Sequence, residues 1–108
     1  MYYNNFSPRI TLPEVSSAIS SETIDLPTDF TDKSVRIVSD KGNTVNIWIK
    51  FSNDPSGTSV IPTSSASGSF PIVPGAIEIF AISEIAKYMH VISTVAAQKF
   101  IISIGNGS

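Results

Sequence analysis

The sequence has no cysteine, a single histidine and a single tryptophan. Without cysteine there is no disulfide framework, no thiolate metal site and no thiol nucleophile. Charge is also scarce: 15% of the residues are charged, and seven Lys and Arg stand against nine Asp and Glu for a net charge of -2. That balance leaves no basic surface to neutralise phosphates, so a nucleic-acid partner is not expected. Long hydrophobic runs are missing too. The longest nearly apolar stretch, residues 76–82, is broken by Glu78 and falls far short of the roughly 20 residues that a membrane helix needs. The first ten residues carry Asn4, Asn5, Pro8 and Arg9 instead of the apolar core of an export signal. A soluble chain without membrane contact is the expectation.

Leucine occurs twice, against sixteen Ile and eight Val. β-Branched side chains favour strands, because their stiff Cβ packs well on a pleated surface. Seven Pro, six Gly and eighteen Ser lie between the apolar runs and supply turn chemistry. At 108 residues the chain makes one domain, able to bury roughly 60 to 70% of its unfolded surface. The pattern predicts an all-β fold, a small antiparallel β-sandwich, jelly-roll-like or immunoglobulin-like, with an extended N-terminal arm.

The clearest strand covers residues 45–51, where Val45, Ile47, Ile49 and Phe51 alternate with Asn46, Trp48 and Lys50, so one face is core and the other polar. Residues 35–38 read as the strand before it. Asp40, Lys41, Gly42 and Asn43 have hairpin-turn chemistry, which predicts that the two strands pair. Further strands are predicted at 76–82, 88–95 and 99–104, forming a meander, with 83–87 as a connection and a short strand at 23–26.

Residues 1–22 read as the arm and 23–108 as the sandwich. Tyr2, Tyr3 and Phe6 sit in a polar stretch, and Glu14, Glu22, Asp25, Asp29 and Asp32 follow without an intervening base. Residues 55–77 carry no charge and read as a long loop of a length more often functional than neutral.

Chemistry-bearing patterns are few. His90 has no second His and no Cys to complete a metal site, and a strand histidine bonded to a neighbouring loop outweighs a general base. Glu78 and Glu84 have no spacing that pairs them for glycoside cleavage. Asp40 and Asp54 head no alternating acidic calcium loop, and the glycines form no phosphate-binding pattern. No catalytic residue, cofactor or metal is expected. Trp48 is the most informative residue, since a large aromatic beside Asn46 and Lys50 on a polar face needs a cover. The arm, a neighbouring subunit or a sugar ring could supply it. Tyr2, Tyr3, Phe6, Asn46, Trp48 and Lys50 are therefore the candidate partner-binding residues.

From residue 35 onward, the order of motifs resembles small β-rich structural proteins of tailed bacteriophages, of the capsid decoration or cement type. The resemblance rests on runs 35–38, 45–51 and 71–80, on the His-containing run 89–93, and on run 101–107 with its Gly105 to Gly107 tail. Pro74-Gly75, Glu78, Phe80 and His90 follow the order of that type, whereas Glu84, Ile85, Ala86 and Lys87 replace its usual small-residue turn. It implies a non-enzymatic virion protein on the capsid surface, with the major capsid protein or another virion protein as partner. A homo-oligomer is implied, with a trimer as the first expectation. A tail, adaptor or fibre-base protein is the structural rival, and a carbohydrate-binding module using Trp48 the rival from another class.

Overall fold

In the computed structural model, which describes residues 6–29, 32, 34–59, 69–82 and 86–107, nine strands build two antiparallel sheets that pack as a β-sandwich. They are β1 (Ser7–Thr11), β2 (Val15–Ser16), β3 (Glu22–Asp25), β4 (Ser34–Ser39), β5 (Ile47–Ser52), β6 (Phe70–Ile72), β7 (Ile77–Ala81), β8 (Tyr88–Ser93) and β9 (Lys99–Asn106). The first sheet runs β1-β9-β4-β7, with β2 also on β9, and the second runs β3-β8-β5-β6.

The pairings are nested. β5 pairs with β6, β4 with β7, β3 with β8 and β1 with β9, all antiparallel. The chain is thus one long hairpin with its tip between β5 and β6, folded over so that β9 meets β4 and β8 meets β5. This is the jelly-roll arrangement, so the immunoglobulin-like alternative does not hold.

Alternation along the strands sends one set of aliphatic residues into the space between the sheets. Val35 and Ile37 of β4 and Phe100, Ile102 and Ile104 of β9 face Ile47 and Ile49 of β5, Ile72 of β6 and Met89 and Val91 of β8, all essentially fully buried. Each such side chain contributes about 1.5–3 kcal/mol over leaving it in water. At one side Phe80 of β7 packs on Phe51 and Phe70, ring centroids 5.6 and 5.3 Å apart. That closes the gap between edge strands β6 and β7.

The predicted hairpin is corrected: β4 and β5 lie in different sheets. The clearest strand starts at Ile47, leaving Val45 half-buried outside it, so residues 40–46 form a crossover that spans the sandwich. Side chains hold it in place. The Asn43 amide donates to Ser39 Oγ and the Lys99 carbonyl (both 2.9 Å) and accepts from the Lys99 N–H, while Gln98 Oε1 accepts from the N–H groups of Thr44 and Val45. The turn residues are therefore local, but their partners lie across the fold. The predicted meander fails for the same reason, since β7, β8 and β9 alternate between sheets.

Strands also form where none was expected. β6 falls within the uncharged stretch, and its Pro71 is tolerated because β6 is an edge. β1 and β2 lie within residues read as the arm, and the first sheet therefore begins at Ser7. Gly105 admits β1: a Cβ there would fall on the Ser7 carbonyl oxygen. The short strand before residue 27 is present as β3.

Candidate functional site

His90 on β8 lies opposite Thr23 of β3 and Lys50 of β5, on the outer face of the second sheet. Yet it is fully buried. The chain after β5 folds over it, with Gly57 so close that a Cβ there would stand 2.6 Å from Nε2. Nδ1 lies 2.9 Å from Thr23 Oγ1 and Nε2 lies 2.6 Å from Ser52 Oγ. Ser52 Oγ also accepts from the Asp54 N–H and donates to the Asp54 carbonyl. The tautomer with the proton on Nε2 satisfies every group: His90 donates to Ser52, and Thr23 donates to Nδ1. In that arrangement Ser52 accepts a hydrogen bond from the imidazole and donates its own to the Asp54 carbonyl. Burial pushes the His90 pKa below its ordinary 6.5; Lys50 pushes the same way, and Asp54 opposes.

A second buried polar group is Asp32, whose carboxylate is sealed from solvent. Arg9 clasps it with Nε 3.0 Å from both oxygens and Nη2 2.7 Å from Oδ2, and the Asp29 N–H adds a bond of 2.9 Å. Arg9 Nη2 also donates to the Pro27 carbonyl. A β-bulge aims the guanidinium: Pro8 faces Gly105 and Ile10 faces Ile104, so Arg9 is the extra residue. Hydrogen bonding from Arg9 holds the Asp32 pKa below its usual 3.8, against the opposing effect of burial.

Among the described residues, the outer face of the first sheet is open in part. Ile77 of β7, Val38 of β4 and Ile101 of β9 stand in register across three strands. Ile77 is 54% and Ile101 37% exposed. The next row is Ile79, Arg36, Ser103 and Thr11, the last two joined through their hydroxyls at 2.8 Å. Arg36 Nε is sealed from solvent and has no hydrogen-bond acceptor among the described residues. Strand parity places Lys99 on this face as well, and no carboxylate. The face is thus aliphatic and cationic on a chain of net charge -2.

The candidate residues read from the sequence do not form one site. Phe6 is half-buried just before β1 in the first sheet, while Trp48 and Lys50 lie on the outer face of the second, with Asn46 immediately before β5. Trp48 is half-buried, opposite Pro71 on one side and Ile92 on the other. Tyr2 and Tyr3 lie outside the described residues. Sequence reading missed the Ile77, Val38, Ile101 row and Arg36. Period-2 alternation in 34–39 does put Arg36 and Val38 on one face, but the partners that complete the patch come from strands about 40 and 60 positions further on, a long-range register that no local pattern encodes.

Among the described residues, no group of three or more His, Cys, Asp or Glu could hold a metal ion, and no helix is long and apolar enough to cross a membrane. Comparison with protein-family models, with curated proteins and with solved structures found no match to this chain.

Proposed function

We propose that this chain is a structural virion protein that decorates the outer surface of a phage head, attached to the major capsid protein through a sheet face and performing no catalytic turnover. The observation that carries the reading is the in-register row Ile77, Val38 and Ile101 beside Arg36, a partly exposed apolar and cationic surface on one sheet. Two further features support it. The motif order resembles decoration proteins, and jelly rolls serve in viral shells, although that second support is an analogy of fold alone. The buried histidine and carboxylate are both engaged within the fold. Residues 7–11 and 15–16 are already paired with β9, which favours attachment by a face over attachment by a free arm at these positions.

Quantitative mass spectrometry of density-purified phage particles, with heads and tails separated, tests the reading. The expected result is a fixed stoichiometry to the major capsid protein in the head fraction. Recovery in tails alone would move the chain to the tail or adaptor reading, and absence from particles would end both. The carbohydrate reading needs a free aromatic platform, and Trp48 is flanked by Pro71 and Ile92. A glycan array probed with the isolated chain and with Trp48→Ala separates it: saturable binding lost in the variant would favour that class instead.

A further inference from the structure

His90 owes its burial to a short stretch of chain that has little else to hold it. Residues 53–59 leave the end of β5 and cross the outer face of the second sheet, with Gly57 against the imidazole. They contain no Val, Ile, Leu or aromatic residue, and Asn53, Asp54, Pro55, Ser56 and Thr58 are exposed. Their hold is hydrogen bonding. The Asp54 N–H donates to Ser52 Oγ at 3.1 Å and the Ser59 N–H to Ser21 Oγ at 2.9 Å, while Ser59 Oγ donates to the Trp48 carbonyl at 3.0 Å. Within the stretch, the Ser56 N–H bonds the Asp54 carboxylate and the Gly57 N–H bonds the Asp54 carbonyl, which fixes a turn at Pro55. A segment with so few buried apolar contacts opens locally at less cost than the core does.

One proton on the ring changes that balance. Neutral His90 donates from Nε2 to Ser52 and receives the Thr23 hydroxyl at Nδ1. A second proton, on Nδ1, makes the ring a donor to Thr23 and leaves the Thr23 hydroxyl proton without its acceptor. It also puts a cation under cover, directly opposite Lys50 in the β5–β8 register, where like charges repel. Burial and Lys50 both favour the neutral ring, and Asp54 opposes them, but the Asp54 carboxylate is engaged by the Ser56 N–H. On β3, Asp25 shares the outward side with Thr23 two positions along and is open to solvent, whereas Glu22 lies on the inward side of the strand.

We propose that residues 53–59 form an acid-released strap, closed over the neutral imidazole and opened from the outer face of the second sheet when His90 takes a second proton. Opening hydrates the imidazolium and bares it beside Lys50. The strapped face is on the other side of the sandwich from Ile77, Val38 and Ile101, so the inference stands whether or not the capsid reading does. The uncovered ring titrates near 6.5 and the covered ring lower, so the opening constant of the strap rises by up to about tenfold between pH 7.5 and pH 5.5.

Amide hydrogen exchange of the full chain, followed by NMR and corrected for the intrinsic effect of pH, tests it. The probes are Asp54 and Ser59, whose acceptors belong to the body of the sandwich, with Ile37 and Ile102 reporting global unfolding. At pH 7.5 the strap amides should open more readily than the core amides, and at pH 5.5 their opening constant should be higher by up to about tenfold. In His90→Gln the constant should be the same at both values. Gly57→Ala, whose Cβ would crowd Nε2, serves if His90→Gln does not fold. There the imidazole Cε1 proton should titrate nearer 6.5 than in the wild type while the core amides stay protected. Strap amides that exchange only with the core, an opening constant indifferent to pH in the wild type, or an equal rise in His90→Gln would each overturn the proposal. An imidazole that titrates in Gly57→Ala as it does in the wild type would overturn it too.

Discussion

Ile47 and Lys50 occupy the same strand and opposite faces, one fully buried and the other half-exposed. Ile47→Ala should cost about 2–5 kcal/mol through lost transfer energy and the cavity left behind. Lys50→Ala should cost well under about 1 kcal/mol, as surface changes usually do. Chemical denaturation of both variants checks the ranking. His90 supplies a pH signature. Because folding lowers its pKa below 6.5, the folded chain binds fewer protons than the unfolded one beneath that value. The stability from the neutral ring is therefore full above pH 6.5 and is lost as pH falls through the depressed folded value. The denaturation midpoint of the wild type should decline across that window, and that of His90→Gln should stay flat there. Thr23→Val leaves Nδ1 without its donor, at a cost of about 1–3 kcal/mol.

At the scale of elements, β1 separates what the sequence discloses from what it hides. Only Ile10 of this strand points into the sandwich, and a bulge interrupts its alternation at Arg9, so no period-2 signal marks it. The pairing to Asp32 joins residues 23 positions apart and is invisible in a run of acids that has no base among them. β4 and β5 were legible, because the run 45–51 and the aliphatics around Ile37 alternate cleanly. Their assignment to separate sheets was not, since turn residues at 40–43 look alike in a hairpin and in a crossover. Parity alone places Trp48 on the polar side, and His90 reads as a strand histidine bonded to a neighbouring loop; its bonds go to Thr23 and Ser52, both in strands, while the chain at Gly57 covers it.

These contacts set two expectations for β1. Asp32 has a folded pKa below 3.8, so its contribution is full above that pH and is lost as pH falls through the lower folded value. In Arg9→Ala, where burial acts on Asp32 without the opposing hydrogen bonds, acid unfolding should begin at higher pH, as followed by circular dichroism. Deleting residues 1–21 removes β1 and β2 from β9 and exposes an unpaired edge, so that form should melt lower and aggregate, as light scattering during the melt will show.

At the scale of the molecule, the nested pairing ties Ser7 to Asn106 and, among the described residues, leaves only the β5–β6 tip as a sequential strand pair. Composition disclosed the class, because Ile and Val in place of Leu select strands, and the resemblance suggested the role. Neither locates the row Ile77, Val38 and Ile101 proposed as the attachment surface, which exists only after three distant strands come into register. We propose that this jelly roll sits on the capsid surface, attached to the shell by the outer face of its first sheet. Cryo-electron microscopy of purified particles is the decisive measurement. Density for the sandwich is expected on the outside of the head, with Ile77, Val38, Ile101 and Arg36 turned into the shell. Particles that lack the density, or that carry it with this face turned away from the shell, would overturn the proposal.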